Sequence, residues 1–206
     1  MNLNLSSIIA IIIFACIGVQ ADLTKNEKKT LLTLHNKARS DVHAPNMQTL
    51  SWDDKMAASA QEYANECKGM VHSGAGPENL AANTWGNITS IFYQWMEEKE
   101  AFDKSGYRAK LINISYNGEA VGHYSQIVWA SNTKLGCGYT ICPNLSINHL
   151  LVCRYGTGNI IGYEVYGEPD LSIINDPDLN SNDATGMKFN RILNCLIFVT
   201  ILLILL

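Results

Sequence analysis

A carboxylate on the apolar side of a predicted helix is the first residue of chemical interest. At about 100° per residue, Glu98 shares a narrow stripe with large apolar side chains, whereas its neighbour Glu97 turns away. The apolar residues on that stripe are Ile91, Trp95 and Phe102. Burying an unpaired charge is costly, so an inward carboxylate needs a partner, a metal ion or a wet cavity. The alternative is a side chain that reaches past the stripe to solvent.

The elements around this carboxylate change from helices to strands along the chain. Residues 24–27 (TKNE) form a capping box and predict a first helix to about Ser40. Ser51 opens a second predicted helix that ends near Gly69, and a third covers about residues 88–102. Apolar and β-branched runs predict strands at residues 126–129, 136–141, 150–155 and 160–166. This order predicts an α+β fold with layered packing.

Length and charge limit the classes of protein that the chain could represent. Its 206 residues suit one folded domain, and 47% hydrophobic residues are enough for a sizeable core. The net charge of -4 provides no broad basic surface for phosphate contacts. We therefore expect a folded domain and no nucleic-acid partner.

The N-terminal segment is typical of a secretory signal peptide. Residues 8–19 (IIAIIIFACIGV) form an apolar run that is followed by small residues, which predicts cleavage after Ala21. The alternative is an uncleaved membrane anchor, but the run is shorter than the ~20 residues that span a bilayer. Residues 1–21 are therefore predicted to be a signal peptide, and the protein is expected to be extracellular.

The C-terminal segment is typical of a membrane-anchor signal. An acidic linker at residues 169–184 leads to residues 185–206, which end in the apolar run ILNCLIFVTILLILL. Small polar residues upstream, with Asn182 or Asp183 as the attachment point, favour replacement of this tail by a GPI anchor. A short transmembrane tail is the alternative. Either one would tether the protein to the cell surface.

The cysteines agree with an exported protein. Cys16 lies in the predicted signal and Cys195 in the tail, which leaves an even set of four: Cys67, Cys137, Cys142 and Cys153. This set predicts disulfides, with three possible pairings, because its spacing does not match the close ligand pairs of a structural zinc site. Three glycosylation sequons start at Asn87, Asn113 and Asn144.

Several short motifs resemble one known family in their order along the chain. Residues 122–129 (GHYSQIVW) and 150–155 (LLVCRY) resemble the two signatures of the CAP superfamily, the cysteine-rich secretory, antigen 5 and pathogenesis-related proteins. Further segments that resemble this superfamily, in the same order along the chain, are residues 34–39, Trp52, and residues 72–73, 78–81 and 135–139. The resemblance covers about residues 24–167, is closest to the venom-allergen-like secreted branch, and implies an SCP domain at residues 22–168.

The resemblance implies a fold and a set of site residues. The fold is a three-layer α-β-α sandwich whose central cleft gathers His72, Glu78, Glu98 and His123. In this family the two histidines hold a divalent metal, commonly zinc, and the two carboxylates lie beside them. The resemblance also implies disulfides between Cys67 and Cys142 and between Cys137 and Cys153. One departure is Pro77, which replaces a family glycine and removes a backbone donor just before Glu78.

The function implied by the resemblance is binding of a sterol, another lipid or a host protein partner. Residues 101–118 correspond to a sterol-contacting loop of relatives; the alternative is a surface loop packed by its own aromatics. A metal-dependent, protease-like hydrolase is a second hypothesis, although Ser125 is predicted on a strand with a structural role. A structural adhesion module is the third. Of the other histidines, His35 is predicted in the core, and His43 and His149 in loops.

Overall fold

The structure is a computed structural model that describes residues 22–170. The described residues up to Glu168 belong to one compact unit. The predicted signal peptide, the acidic linker beyond residue 170 and the C-terminal anchor lie outside the described residues and stay predictions. Within residues 22–170, no helix is both long and apolar enough to cross a bilayer.

The described part of the chain has helices and strands in mixed order. The helices are α1 (Lys25–Ser40), α2 (Asp54–Asn65), α3 (Ile88–Met96), α4 (Lys99–Ser105) and α5 (Gly122–Ile127). The strands are β1 (Ser51–Trp52), β2 (Glu78–Asn83), β3 (Ser115–Tyr116), β4 (Glu119–Ala120), β5 (Lys134–Ile141) and β6 (His149–Tyr155). This mixed content confirms the predicted α+β class.

Local signals set the starts of the first two helices. In α1 the Glu27 N–H donates to Thr24 Oγ1 at 3.2 Å and the Thr24 N–H donates to Glu27 Oε2 at 2.8 Å, which confirms the predicted capping box. The predicted start of α2 at Ser51 is wrong, because Ser51 pairs with Lys134 in the sheet. Asp53 caps α2 instead, and the helix ends at Asn65 rather than near Gly69.

The main sheet has the order β1-β5-β6-β2. Strand β1 runs parallel to β5, whereas β6 is antiparallel to both β5 and β2. Cys137 and Cys153 lie opposite each other in the β5–β6 register and form one disulfide. Cys67 and Cys142 form the other. Both disulfides are those that the resemblance implied.

Helices cover both faces of this sheet. Helix α2 packs so closely on β5 that a Cβ at Gly136 or Gly138 would lie 2.3 Å from Ala57 N or 2.2 Å from Gln61 N, respectively. The opposite face carries the larger core, in which buried residues of α1, α3 and α5 pack together. The three-layer α-β-α sandwich is therefore confirmed.

Three predicted elements differ from the structure. The predicted helix at residues 88–102 is divided into α3 and α4, and Glu98 lies at the break. The predicted strand at residues 126–129 is wrong, because α5 extends to Ile127; a short buried apolar run does not distinguish strand from helix. No strand forms at residues 160–166, where the backbone makes isolated bonds, such as Val165 N–H to the Arg108 carbonyl.

Candidate functional site

A cavity of about 330 Å³ opens where β2 begins and α5 begins. We call it the cleft. Its lining includes His72, Glu78 and His123, which are three of the four residues that the resemblance placed together. Glu98 is not part of this lining and lies behind His123 instead.

His72 and Glu78 form the first of two histidine–carboxylate pairs. His72 Nδ1 lies 3.2 Å from Glu78 Oε1. The two side chains differ in burial: His72 is 61% exposed, whereas Glu78 is 2% exposed. The carboxylate is therefore fixed in the protein, and the imidazole extends from it into the accessible cleft.

Ser73 and Arg154 hold the Glu78 carboxylate in place. The Ser73 N–H donates to Oε1 at 2.5 Å, and its hydroxyl donates to Oε2 at 2.7 Å. Arg154 Nε lies 3.4 Å from Oε2 as an ion pair and makes no hydrogen bond there. Burial alone would raise the pKa of Glu78, but the Ser73 hydrogen bonds, His72 and Arg154 outweigh it and lower that pKa. Glu78 is therefore ionised at neutral pH.

Glu98 and His123 form the second pair. Glu98 Oε2 accepts from the backbone N–H of His123 at 2.7 Å and of Tyr124 at 3.0 Å, so the carboxylate binds the first turn of α5. Its Oε1 lies 2.5 Å from His123 Nδ1. The Glu98 side chain is 10% exposed, so the inward orientation predicted from helical phase is confirmed and the solvent-facing alternative is wrong. Trp95 stacks on the His123 ring with centroids 6.3 Å apart.

The two pairs share one chemical property. A carboxylate oxygen only accepts, so each histidine carries a proton on Nδ1, and in the neutral form of the ring the lone pair is on Nε2. Neither Nε2 receives a hydrogen bond from residues 22–170. A neutral imidazole whose Nδ1–H donates to a carboxylate is the usual form of a metal-ligating histidine. The donor set therefore fits a divalent metal such as zinc.

The site offers fewer ligands than a structural zinc centre. Across the described residues, no group of three or more His, Cys, Asp or Glu side chains is arranged to hold an ion. Structural zinc sites use four protein ligands, and catalytic sites use three. Two imidazoles would thus leave two of four tetrahedral coordination positions to solvent or to a bound molecule.

A buried chain of hydrogen bonds supports His123 from the core. Asn79 Nδ2 donates to the His123 carbonyl at 3.0 Å and to Tyr155 Oη at 3.1 Å. The Tyr155 hydroxyl then donates to His35 Nε2 at 2.9 Å, because His35 Nδ1–H donates to the Leu31 carbonyl. Burial lowers the pKa of His35 to about 4, so it is neutral at pH 7. His35 is the core histidine that the sequence predicted.

The other histidines lie outside the cleft. His43 occupies a turn with positive φ, as predicted for a loop residue. His149 instead begins β6, where its Nδ1 bonds the Tyr139 hydroxyl. Neither residue lines the cleft.

Ser125 has no partner that would make it a nucleophile. It is fully buried on α5, not on a strand, and its Oγ lies 2.6 Å from Asn159 Oδ1 and 3.1 Å from the Gly122 carbonyl. Both partners are acceptors without basic character, so its role is structural.

Sequence reasoning missed residues that support the site. Ser73 adjoins His72 in the sequence, and Arg154 is a lone cation inside the apolar run of β6, so each offered a signal. Asn79 and Gln126 also line the cleft, and both lie inside recognised motifs. Their contacts with distant segments could not be read from spacing.

Two further sets of predicted surface residues are now located. The sequon asparagines Asn87, Asn113 and Asn144 are all exposed, and glycosylation stays a prediction. In residues 101–118, Phe102 and Leu111 are buried in the core, whereas Ile112 and Ile114 are exposed.

Comparison with known proteins places the chain in a family. The sequence model of the cysteine-rich secretory protein family, CAP, matches residues 32–155. The chain belongs to the CAP family. Members of this family are described as secretory proteins. The disulfide between Cys137 and Cys153 joins β5 to β6, the strand that contains residues 150–155.

Individual CAP relatives span animals and plants. Peptidase inhibitor 16 of Bos taurus is 33% identical over 163 residues, which cover 73% of this chain and 34% of the relative. The chain thus spans about a third of that relative's length. Pathogenesis-related protein 1C of Nicotiana tabacum is 34% identical over 149 residues, which cover 69% of this chain and 82% of the relative. The protein in the crystal structure of NaASP2 with Zn2+ is 25% identical in sequence to this chain. The structural match covers 72% of this chain and 88% of the NaASP2 chain, with a TM-score of 0.61.

Proposed function

We propose that this CAP protein is an extracellular binding protein whose cleft binds a divalent metal, zinc, through His72 and His123. The observation that carries this proposal is the pair of histidines on one cleft, each held by a carboxylate and each with a free Nε2. A related structure contains Zn2+ according to its title. When bound, the metal would supply a Lewis-acid attachment point for an oxygen or nitrogen donor of a ligand. The protein contributes orientation and a protected cavity.

The predicted ends of the chain support a location for this binding activity. The family is secretory, and the sequence has a predicted signal peptide at residues 1–21 and a predicted anchor signal at residues 185–206. The proposal therefore places the domain outside the cell, tethered by a GPI anchor or a short C-terminal tail.

Zinc titration of the purified protein by calorimetry tests the metal proposal. The wild-type protein, stripped with a chelator, is expected to bind one zinc ion per chain. His72→Ala or His123→Ala removes one of two ligands and is expected to weaken zinc binding at least about 100-fold. This is the upper end of the effect of changing a residue that only supports a ligand, which is about 10–100-fold. His43→Asn is the control, since Asn tolerates the positive φ at that turn and the residue lies outside the cleft. Unchanged zinc affinity in a protein with both histidines replaced would rule the metal site out.

A lipid or sterol is the second candidate ligand, and one observation favours it. Ile112 and Ile114 are each more than half exposed, and Ile114 also lines the cleft. Exposed aliphatic side chains beside a cavity suit an apolar ligand. Binding of labelled cholesterol by the wild-type protein, and loss of binding in a variant with both isoleucines changed to serine, is the expected result. Equal binding by both proteins would exclude this surface.

A further inference from the structure

The cleft contains a buried carboxamide that the metal proposal does not use. Gln126 lies one helical turn after His123 on α5, so both side chains are on the same side of the helix. Gln126 is only 1% exposed, yet it lines the cleft. The Gln126 carboxamide therefore borders a cavity whose lining combines polar side chains with the apolar side chains of Pro77, Ile114 and Ala120.

The orientation of the Gln126 amide is fixed by its neighbours. Nε2 donates to the Thr157 carbonyl at 2.9 Å, and a carbonyl only accepts, so the nitrogen faces Thr157 and Oε1 lies on the other side. The backbone of Gly158 lies against the amide: a Cβ there would be 2.0 Å from Nε2 and 2.3 Å from Oε1. Gly158 has φ of +149°, a conformation that also suits glycine. The acceptor is thus held rigidly.

The acceptor capacity of this amide is unused. No donor from residues 22–170 reaches Gln126 Oε1. This oxygen is not fully enclosed by protein atoms, so it keeps access to the cleft. Asn79 Oδ1, in the same cleft, is in the same state. By contrast, Asn159 uses both its amide nitrogen and its oxygen within the protein. Buried polar groups in native proteins nearly always have a partner, either protein or water, so a ligand that displaces water from the cleft has to supply a donor to these oxygens.

We propose that the cleft binds a neutral alcohol with a compact apolar body, whose hydroxyl donates a hydrogen bond to Gln126 Oε1. Pro77, Ile114 and Ala120 provide apolar contacts for the body of the ligand, and the amide oxygens of Gln126 and Asn79, which accept no hydrogen bond from the described residues, provide acceptors for its O–H group. Gln126 is then a specificity-determining residue, because a ligand without a donor leaves a buried acceptor unpaired. The proposal names a ligand class for the proposed binding function and rests on that function, but it does not require the metal.

Cyclohexanol and its methyl ether are matched probes for this proposal, because methylation removes only the donor. Chemical shifts of the 15N-labelled, chelator-treated protein measure the affinity of each probe. We expect cyclohexanol to bind at least about tenfold more tightly than the ether, consistent with the cost of one unpaired buried acceptor. The largest shifts should involve the side-chain amide of Gln126 and the neighbouring His123.

Variants separate this role from general packing. Gln126→Leu is expected to bring the ratio of the two affinities close to one. Gln94→Leu is the control, because Gln94 Nε2 also donates to a backbone carbonyl, that of Ala82, but lies outside the cleft. Equal affinities in the wild-type protein, a preference that persists in Gln126→Leu, or no shift with either probe would overturn the proposal. If Gln126→Leu does not fold, the comparison of the two probes on the wild-type protein is sufficient to test the proposal. This comparison is independent of the zinc titration.

Discussion

Replacing Arg39 by methionine is expected to lower the free energy of unfolding by about 3–5 kcal/mol, because several buried backbone carbonyls lose a charged donor and each unpaired buried acceptor costs about 1–3 kcal/mol. Arg39 is 1% exposed, and its guanidinium nitrogens make six contacts of 2.5–3.1 Å with five backbone carbonyls, three of them from Nη2, whose two N–H groups are shared among three acceptors. These carbonyls belong to Gln48, Ile127, Trp129, Ala130 and Asn132. Burial lowers the pKa of the guanidinium only to about 10, so the group is charged at pH 7. Methionine fills a similar volume but leaves all five acceptors without this donor.

Denaturant unfolding of the wild-type and Arg39→Met proteins measures this effect. Lys37→Met is the matched control on the same helix, because the Lys37 side chain is 67% exposed and makes only a surface ion pair with Asp41. Its loss should change the stability far less, because an exposed ion pair contributes little. Similar losses for the two variants would contradict the assigned role of Arg39.

The Arg39 network also bears on the cleft. Two of its acceptors, Ile127 and Trp129, lie at the end of α5 and just after it. Helix α5 carries His123 and Gln126, so the network joins the site to α1. A variant that still folds should consequently bind zinc more weakly than the wild-type protein does.

Removing the disulfide between Cys67 and Cys142 is the second change with a large expected effect. This bridge closes a loop with a sequence separation of 75, and the loss of chain constraint corresponds to about 4 kcal/mol. The loop includes His72, which follows Cys67 closely and is mostly exposed. The variant with both cysteines changed to serine should therefore unfold more easily and also bind zinc less tightly.

The second disulfide supplies the comparison for that experiment. Cys137 and Cys153 have a sequence separation of 16, and the loss of chain constraint for a loop of this length corresponds to about 3 kcal/mol. Neither residue is close to His72 in the sequence or lines the cleft. Thermal or denaturant unfolding should show that both double variants lose stability. Zinc titration of the folded proteins should show that only the Cys67–Cys142 variant also binds zinc less tightly. Equal zinc affinities in these two variants would contradict a positioning role for the Cys67–Cys142 bridge.

The parts of the fold that were predictable have local physical causes. The capping box at Thr24 and Glu27 and the helical phase of Glu98 depend on residues within a few positions of each other. The structure confirms both. The disulfide pairs and the layered sandwich came from resemblance to the CAP family, because four cysteines alone allow three pairings.

The parts that were not predictable depend on contacts between distant segments. Residues 126–129 have the composition of a strand, but the tertiary surroundings place Gln126 and Ile127 in a short buried helix. Pro77 left the geometry of Glu78 open, and that carboxylate is held by Ser73 nearby and by Arg154, far along the chain. Spacing along the chain contains no signal for the Arg154 contact.

X-ray absorption at the zinc edge of the zinc-loaded protein tests the central claim most directly. We expect scattering from two imidazole rings and from oxygen atoms, with one zinc ion per chain. The imidazole signal should disappear when His72 and His123 are both replaced. Zinc bound by sulfur, or bound with no imidazole contribution in the wild-type protein, would contradict the assignment of the cleft as a two-histidine metal site.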